Sequence, residues 1–138
     1  MKTQVQFLLL LLTGILFISS CKKETEVTPE NRDSFVGAFA VSETSPTIGE
    51  SKYAITVKKS AVEPNGIEIG NFADFLKTPV QATVDGNAIT IPAQEFSSNT
   101  NSRITITGSG KLEDNTLTYS YSVRGAFKWD ATCVSTKD

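Results

Sequence analysis

From Phe35 to the C-terminus, apolar and polar side chains alternate with a period of two. Apolar residues share one parity at Phe35, Phe39 and Val41, at Tyr53, Ile55 and Val57, at Ile67 and Ile69, and at Val80, Ala82 and Val84. The same alternation continues through Ile89 and Ile91, Ile104 and Ile106, then Leu117, Tyr119, Tyr121 and Val123, and finally Phe127, Trp129, Ala131 and Cys133. Between them stand residues such as Thr56, Lys58, Gln81, Thr83, Thr105, Ser120, Ser122, Asp130 and Thr132. Successive side chains of a strand point to opposite faces, so this pattern predicts strands with one dry face and one wet face, as antiparallel sheets allow.

Turn chemistry divides the pattern into about eight strands. Pro64-Asn65-Gly66, Asp85-Gly86, Asp114-Asn115 and Arg124-Gly125 are residues that enter tight reversals readily, because Gly and Asn tolerate positive φ and Asp bonds its own backbone. The predicted fold class is all-β, an antiparallel meander closed into a small lipocalin-like barrel; a two-sheet β-sandwich satisfies the same alternation. One segment departs from it. In Asn71–Lys77, NFADFLK, the spacing predicts a short helical turn with Phe72, Phe75 and Leu76 on one side, placed to plug a barrel end.

The chain before Phe35 follows different rules. Residues 1–20 begin with Lys2, continue through the apolar run Phe7–Ile18 and reach Ser19 and Ser20 before Cys21. That is the layout of a cleaved signal peptide, since crossing a bilayer takes about 20 apolar residues. Residues 21–34 then form a tether, because Lys22–Ser34 holds seven charged side chains and a single aliphatic one, Val27. Such a spacer has a root-mean-square reach of roughly 20 Å and an extended limit of roughly 45 Å. Domain organisation is therefore signal peptide 1–20, tether 21–34 and β domain 35–138.

Ile18-Ser19-Ser20-Cys21 resembles a bacterial lipobox, with Ile18 in the place usually held by Leu. The resemblance implies that Cys21 becomes the lipidated first residue, carrying diacylglycerol and an acyl chain such as palmitate. Several acyl chains anchor a protein durably, at about 0.8 kcal/mol for each buried methylene. Lys22, Lys23, Glu24 and Glu26 are similar to the segment that sends some Bacteroidetes lipoproteins to the cell surface, although Thr25 interrupts the acidic pair. The implied location is the outer membrane, at its surface or its periplasmic face. FVGAFAVSE, YAITV, ATVDGNAITIPAQ and ITITGSGKLEDNTLTYSYSV together resemble a group of small Bacteroidetes lipoproteins. Members of that group often carry a second cysteine near the first loop, where this chain has Thr44-Ser45. Phe35-Val36-Gly37-Ala38-Phe39 is similar to the opening strand of lipocalin-like domains, with Phe39 where those domains place tryptophan.

Composition narrows the chemistry. The 138 residues contain 13 basic and 15 acidic side chains and no histidine, a formal charge of −2. No basic field exists for gripping phosphates, so nucleic acid is not an expected partner. The commonest general base and metal ligand is missing, and zinc, which needs convergent soft ligands, is not expected. Glu113-Asp114-Asn115 reads as a turn rather than a calcium loop, and Gly108-Ser109-Gly110-Lys111 as a bulge or bend in a strand rather than a phosphate loop. Cys133 shares parity with Trp129 and Ala131 and reads as a buried, inert thiol.

The candidate ligand-lining residues are Tyr119, Tyr121, Trp129, Phe72 and Phe75, which equally suit a packed core. The expectation is a lipid-anchored, non-catalytic binding or interaction module without cofactor or metal, attached to the membrane through its acyl chains. The alternatives are a lipocalin-like carrier of a small hydrophobic ligand, and a hydrolase or inhibitor whose site lies on loops.

Overall fold

The alternation resolves into a closed ring of strands. A computed structural model describes residues 30–97 and 101–138; the signal peptide, the lipobox, Cys21 and most of the tether lie outside them. After a short helix α1 (Glu30–Phe35) come β1 (Gly37–Ser45), β2 (Gly49–Lys59), β3 (Gly66–Gly70), β4 (Val80–Asp85), β5 (Ala88–Ser97), β6 (Arg103–Glu113), β7 (Thr116–Gly125) and β8 (Trp129–Lys137). Each strand pairs antiparallel with the next, and β8 pairs back onto β1, with Phe39–Thr44 against Thr132–Lys137. This is the closed meander barrel, not the sandwich. Closure leaves no strand edge open for pairing with another chain.

The inward parity forms the core as predicted, including Phe39, Ile55, Ile69, Ile89, Ile106, Leu117 and Tyr119, all essentially inaccessible. Two features of β5 and β6 shape the wall. The irregularity lies on β5 between Ile91 and Gln94, opposite Thr107, and not in the Gly108–Lys111 segment itself. It flips the parity, so that Phe96 packs inward after Ile91. Gln94 then serves as a strand partner for β4: its Oε1 accepts from the Gln81 amide at 2.8 Å and its Nε2 donates to the Gln81 carbonyl at 2.7 Å. Gly110 faces Tyr119 across the β6–β7 ladder. A Cβ there would lie 2.5 Å from Tyr119 Cβ, so only hydrogen fits and the two strands approach closely.

The two ends of the barrel differ. At one end run the tight turns Gly86-Asn87 and Asp114-Asn115 and the β2–β3 loop, and α1 lies across them. Residues 30–34, expected in the solvated tether, are helical because they gain specific partners. Arg32 Nη1 donates to the carbonyls of Ser60, Glu63 and Gly66, Asp33 pairs with Lys59, and Lys137 Nζ donates to the Ser34 carbonyl. Phe35 then enters the core with no exposure. At the opposite end are the β1–β2 and β7–β8 turns and the long β3–β4 connection. Phe127, expected inside the last strand, sits in the β7–β8 turn and is 52% exposed.

Phe35 closes one end of the barrel, so Phe35→Ala should cost about 3–5 kcal/mol, the usual price of an emptied aromatic core site. Urea unfolding with an unchanged m-value measures it. A loss below about 1 kcal/mol, the size of a surface effect, would mean that the helix does not close the barrel.

Candidate functional site

Interior residues are not uniformly apolar. β3, β4, β5 and β6 contribute an aliphatic wall of Ile67, Ile69, Val80, Val84, Ile89, Ile91, Ile104 and Ile106. Most of the buried polar groups of the strands come from the contiguous strands β7, β8, β1 and β2, namely Tyr119, Tyr121, Cys133, Ser135, Glu43, Ser45 and the half-buried Tyr53. The barrel lumen is thus amphipathic across its width.

Glu43 is the centre of the polar wall. It follows Phe39 and Val41 at inward positions of β1, opposite Cys133 of β8, and is 3% exposed. Tyr53 Oη donates to Glu43 Oε2 at 2.5 Å, and Cys133 Sγ donates to the same oxygen at 3.6 Å. Among the described residues no cation pairs with Glu43. A buried carboxylate without a cation costs several kcal/mol unless hydrogen bonds or a bound group offset it. Tyr119 Oη, across the β7–β8 ladder from Cys133, is buried without a hydrogen bond of acceptable geometry, as are Ser135 Oγ, opposite Val41 and Leu117, and, at the α1 end, Arg32 Nε and Asn65 Oδ1. By contrast Ser45 is satisfied, its Oγ accepting from the amides of Thr47 and Ile48 in the β1–β2 turn.

Titration properties follow from burial. Burial raises the pKa of Tyr53, with added repulsion from Tyr119 and the hydrogen bond to Glu43. Tyr119 and Tyr121 are raised for the same first reason, and nearby Cys133 raises Tyr119 further. Burial pushes the Cys133 thiol up to about 12, against the lowering effect of Tyr119. A thiol so placed stays protonated and is a poor nucleophile.

The aromatic residues form a stack beneath the more open end. Phe72 is fully buried, with its ring edge-on to Tyr121 at 4.8 Å and tilted against Tyr119 at 5.8 Å. Trp129 is half-buried and its Nε1 donates to Tyr121 Oη at 3.4 Å. Phe75 is 46% exposed and meets Trp129 outside the stack at 5.8 Å. The structure therefore brings Tyr119, Tyr121, Trp129 and Phe72 together but turns Phe75 away from Phe72 and Leu76. The reason is backbone conformation. Only Phe72–Asp74 form a single 3-10 turn, and Asn71, Ala73 and Asp74 all have φ near +55° to +58°. Asn and Asp tolerate that region, whereas Ala73 has no side-chain compensation and costs about 1–2 kcal/mol there. Asn71 Nδ2 holds the segment by donating to the Ala54 carbonyl at 2.8 Å and to Asp74 Oδ1 at 3.3 Å.

Glu43, Tyr53 and Ser135 were not singled out by the pattern, although Glu43 and Ser135 continue the inward parity of Val41 and Cys133. An outer furrow of about 400 Å³ bordered by Thr44, Thr107, Ser109, Ser120, Ser122 and Asp130 is also present. Its groups pair with one another, as in Ser122–Asp130 and Arg124–Asp130, and no buried polar atom points into it. Among the described residues no three acidic or cysteine side chains converge as a metal site.

No family model matches the chain, and no curated protein matches it. Solved structures share its fold. EF1p2_mFAP2b bound to DFHBI superposes with a TM-score of 0.56 at 15% identity, covering 80% of this chain and 98% of that one. A redesigned β barrel superposes with a TM-score of 0.53 at 12% identity, covering 78% and 95%. A protein of Bacteroides fragilis NCTC 9343 described as a "putative outer membrane protein" gives 0.48 at 16% identity, covering 80% of this chain and 54% of that one. The first two likenesses carry the barrel fold alone, and the third adds no weight.

The three tyrosines and Cys133 are neutral in the folded barrel and ionise in the unfolded chain above about pH 9–10. Stability present below that pH is lost as pH rises, by at most about 1.4 kcal/mol per group and pH unit, because the folded state keeps protons that the unfolded state releases. Tyrosinate absorbance should therefore appear in one step, together with loss of the barrel's circular dichroism. Gradual ionisation near the free value in an intact barrel would mean that water reaches the hydroxyls.

Proposed function

We propose that this chain is a lipid-anchored, non-catalytic binding protein that holds a small amphiphilic molecule in the barrel lumen. The observation that carries the reading is the Glu43 carboxylate, buried without a cation among the described residues, with the unpartnered Tyr119 Oη in the same wall and an aliphatic wall opposite. A molecule with one polar edge and one apolar body matches both walls. EF1p2_mFAP2b, which shares the fold, is bound to DFHBI, and this supports the capacity of such a barrel for a small guest.

Anchoring at Cys21 rests on the lipobox-like string. α1 joins the barrel at the end opposite the β3–β4 segment, so a lipid anchor ahead of it leaves the aromatic end free to meet the envelope or the medium. The outer membrane, at its surface or periplasmic face, is the proposed location, and nucleic acid is not a proposed partner.

Native mass spectrometry of the full chain extracted from its membranes in mild detergent tests both parts. The expected result is a mass raised by covalent acyl chains that Cys21→Ala abolishes, and a noncovalent small-molecule adduct that Glu43→Leu loses. A bare polypeptide mass in the wild type would refute the anchor, and an adduct-free spectrum would refute the bound molecule.

A further inference from the structure

Phe72 does not belong to the barrel wall. Among the described residues it is the one fully buried aromatic ring delivered by a connection between strands, and it fills the space beside Tyr119 and Tyr121. The segment that delivers it carries three residues with positive φ, one of them an alanine, so its inserted conformation is under tension. Its next aromatic residue, Phe75, rests on Trp129 at the surface. A crevice of about 280 Å³ lies beside the segment, bordered by Phe75, Leu76, Thr78, Phe96 and Ile104, so there is apolar space next to it. Tyr119 links the two halves of the site. Its ring meets Phe72 at 5.8 Å, and it stands opposite Cys133, whose Sγ donates to Glu43 Oε2 at 3.6 Å.

A ring held by a strained connection, next to a buried carboxylate that lacks a cation, is an arrangement in which one side chain occupies the place of a guest. Resting on the binding function proposed above, we infer that Phe72 is a displaceable plug. The guest carries one aromatic ring, which replaces the Phe72 ring against Tyr119 and Tyr121, and a cationic hydrogen-bond-donating head, which faces Glu43. An aromatic body retains the ring contacts that the site already makes. A cationic head supplies the charge that Glu43 lacks, whereas an anionic head would stand against it. The tension at Ala73 lowers the cost of withdrawing Phe72, and the guest takes over the volume that Phe72 vacates.

The test uses 2-phenylethylamine, with 2-phenylethanol and 3-phenylpropionate as neutral and anionic counterparts, titrated calorimetrically into the full chain in detergent. Phe72→Ala should bind the amine at least tenfold more tightly than the wild type, because no plug competes. Glu43→Gln should lower the amine's advantage over the alcohol at least tenfold. In the unmodified protein the amine should speed amide hydrogen exchange over Asn71–Leu76 and slow it over β7 and β8. Phe72→Leu, a smaller loss of volume, should fall between wild type and Phe72→Ala if the latter folds poorly. Equal amine affinity in wild type and both variants, with exchange at Asn71–Leu76 unchanged, would overturn the plug while leaving a luminal site standing. Equal binding of all three probes would overturn the role of Glu43. No binding of any probe to any form would overturn this inference, and a noncovalent adduct on the membrane-extracted chain would show that the broader binding function survives it.

Discussion

Closure along the β1–β8 seam is the constraint on which the other features depend. Phe39–Thr44 pairs with Thr132–Lys137, so the two ends of the β domain meet and every strand gains two neighbours. Without the seam the inward positions of β1 and β8 would face water, and there would be no lumen. With it, Glu43 stands opposite Cys133, far away in sequence, while Tyr53 reaches the same carboxylate from the adjacent strand β2. The polar wall is thus assembled across the closure itself. α1 is held to the same seam, because Lys137 of β8 donates to Ser34 and Phe35 closes the lumen from below.

Most of the barrel obeys every local rule at once. Aliphatic residues face inward, hydroxyls and charges face outward, and Gly or Asn sits where the turns need it. Several departures are linked to the Phe72 ring. The Glu43 carboxylate, the unpartnered Tyr119 hydroxyl and three residues with positive φ connect to it through its contact with Tyr119 and through Cys133, which stands opposite Tyr119 and donates to Glu43. Each of them lowers stability in isolation, by desolvation in the first cases and by steric conflict at Ala73. At the opposite end Arg32 Nη1, Asp33 and Lys137 find partners, while Arg32 Nε and Asn65 Oδ1 are buried without one. A fold under selection for stability alone would place a methionine or leucine at Glu43, as it places Val41 two residues earlier.

Period-two alternation made the strands and the all-β class legible, and turn residues located the reversals to within a residue or two. It left barrel and sandwich undecided, because both have the same in-and-out pattern and only pairing of β1 with β8 separates them. It passed over Glu43 and Ser135, since a polar residue near a strand end looks the same whether the strand has ended or its lumen has become polar. The pattern puts a strand irregularity at Gly108–Lys111 because Gly108 and Gly110 signal close approach, here to Tyr121 and Tyr119, whereas it lies on β5, where Pro92 and Ala93 together oppose the single residue Thr107. Helix α1 was invisible to propensity. Residues 30–34 are charged or polar, and their order comes from carbonyls of the β2–β3 loop and from Lys59, which no local pattern reveals. Phe75 was misassigned for a related reason: helical spacing groups it with Phe72 and Leu76, but left-handed backbone at Ala73 and Asp74 rotates it outward.

The central claim is that the polar wall serves a guest rather than the fold, and the stability of the empty barrel tests it most directly. Urea unfolding of Glu43→Met combined with Tyr53→Phe removes the buried carboxylate together with its hydroxyl donor, leaving only the weakly donating Cys133 thiol without this acceptor. If the wall is kept for binding, the double variant is as stable as the wild type or more so, as replacement of buried charges by apolar side chains of similar volume often is, by about 1–4 kcal/mol. A loss of several kcal/mol with an intact fold would mean that Glu43 and Tyr53 hold the barrel together, and would contradict the account.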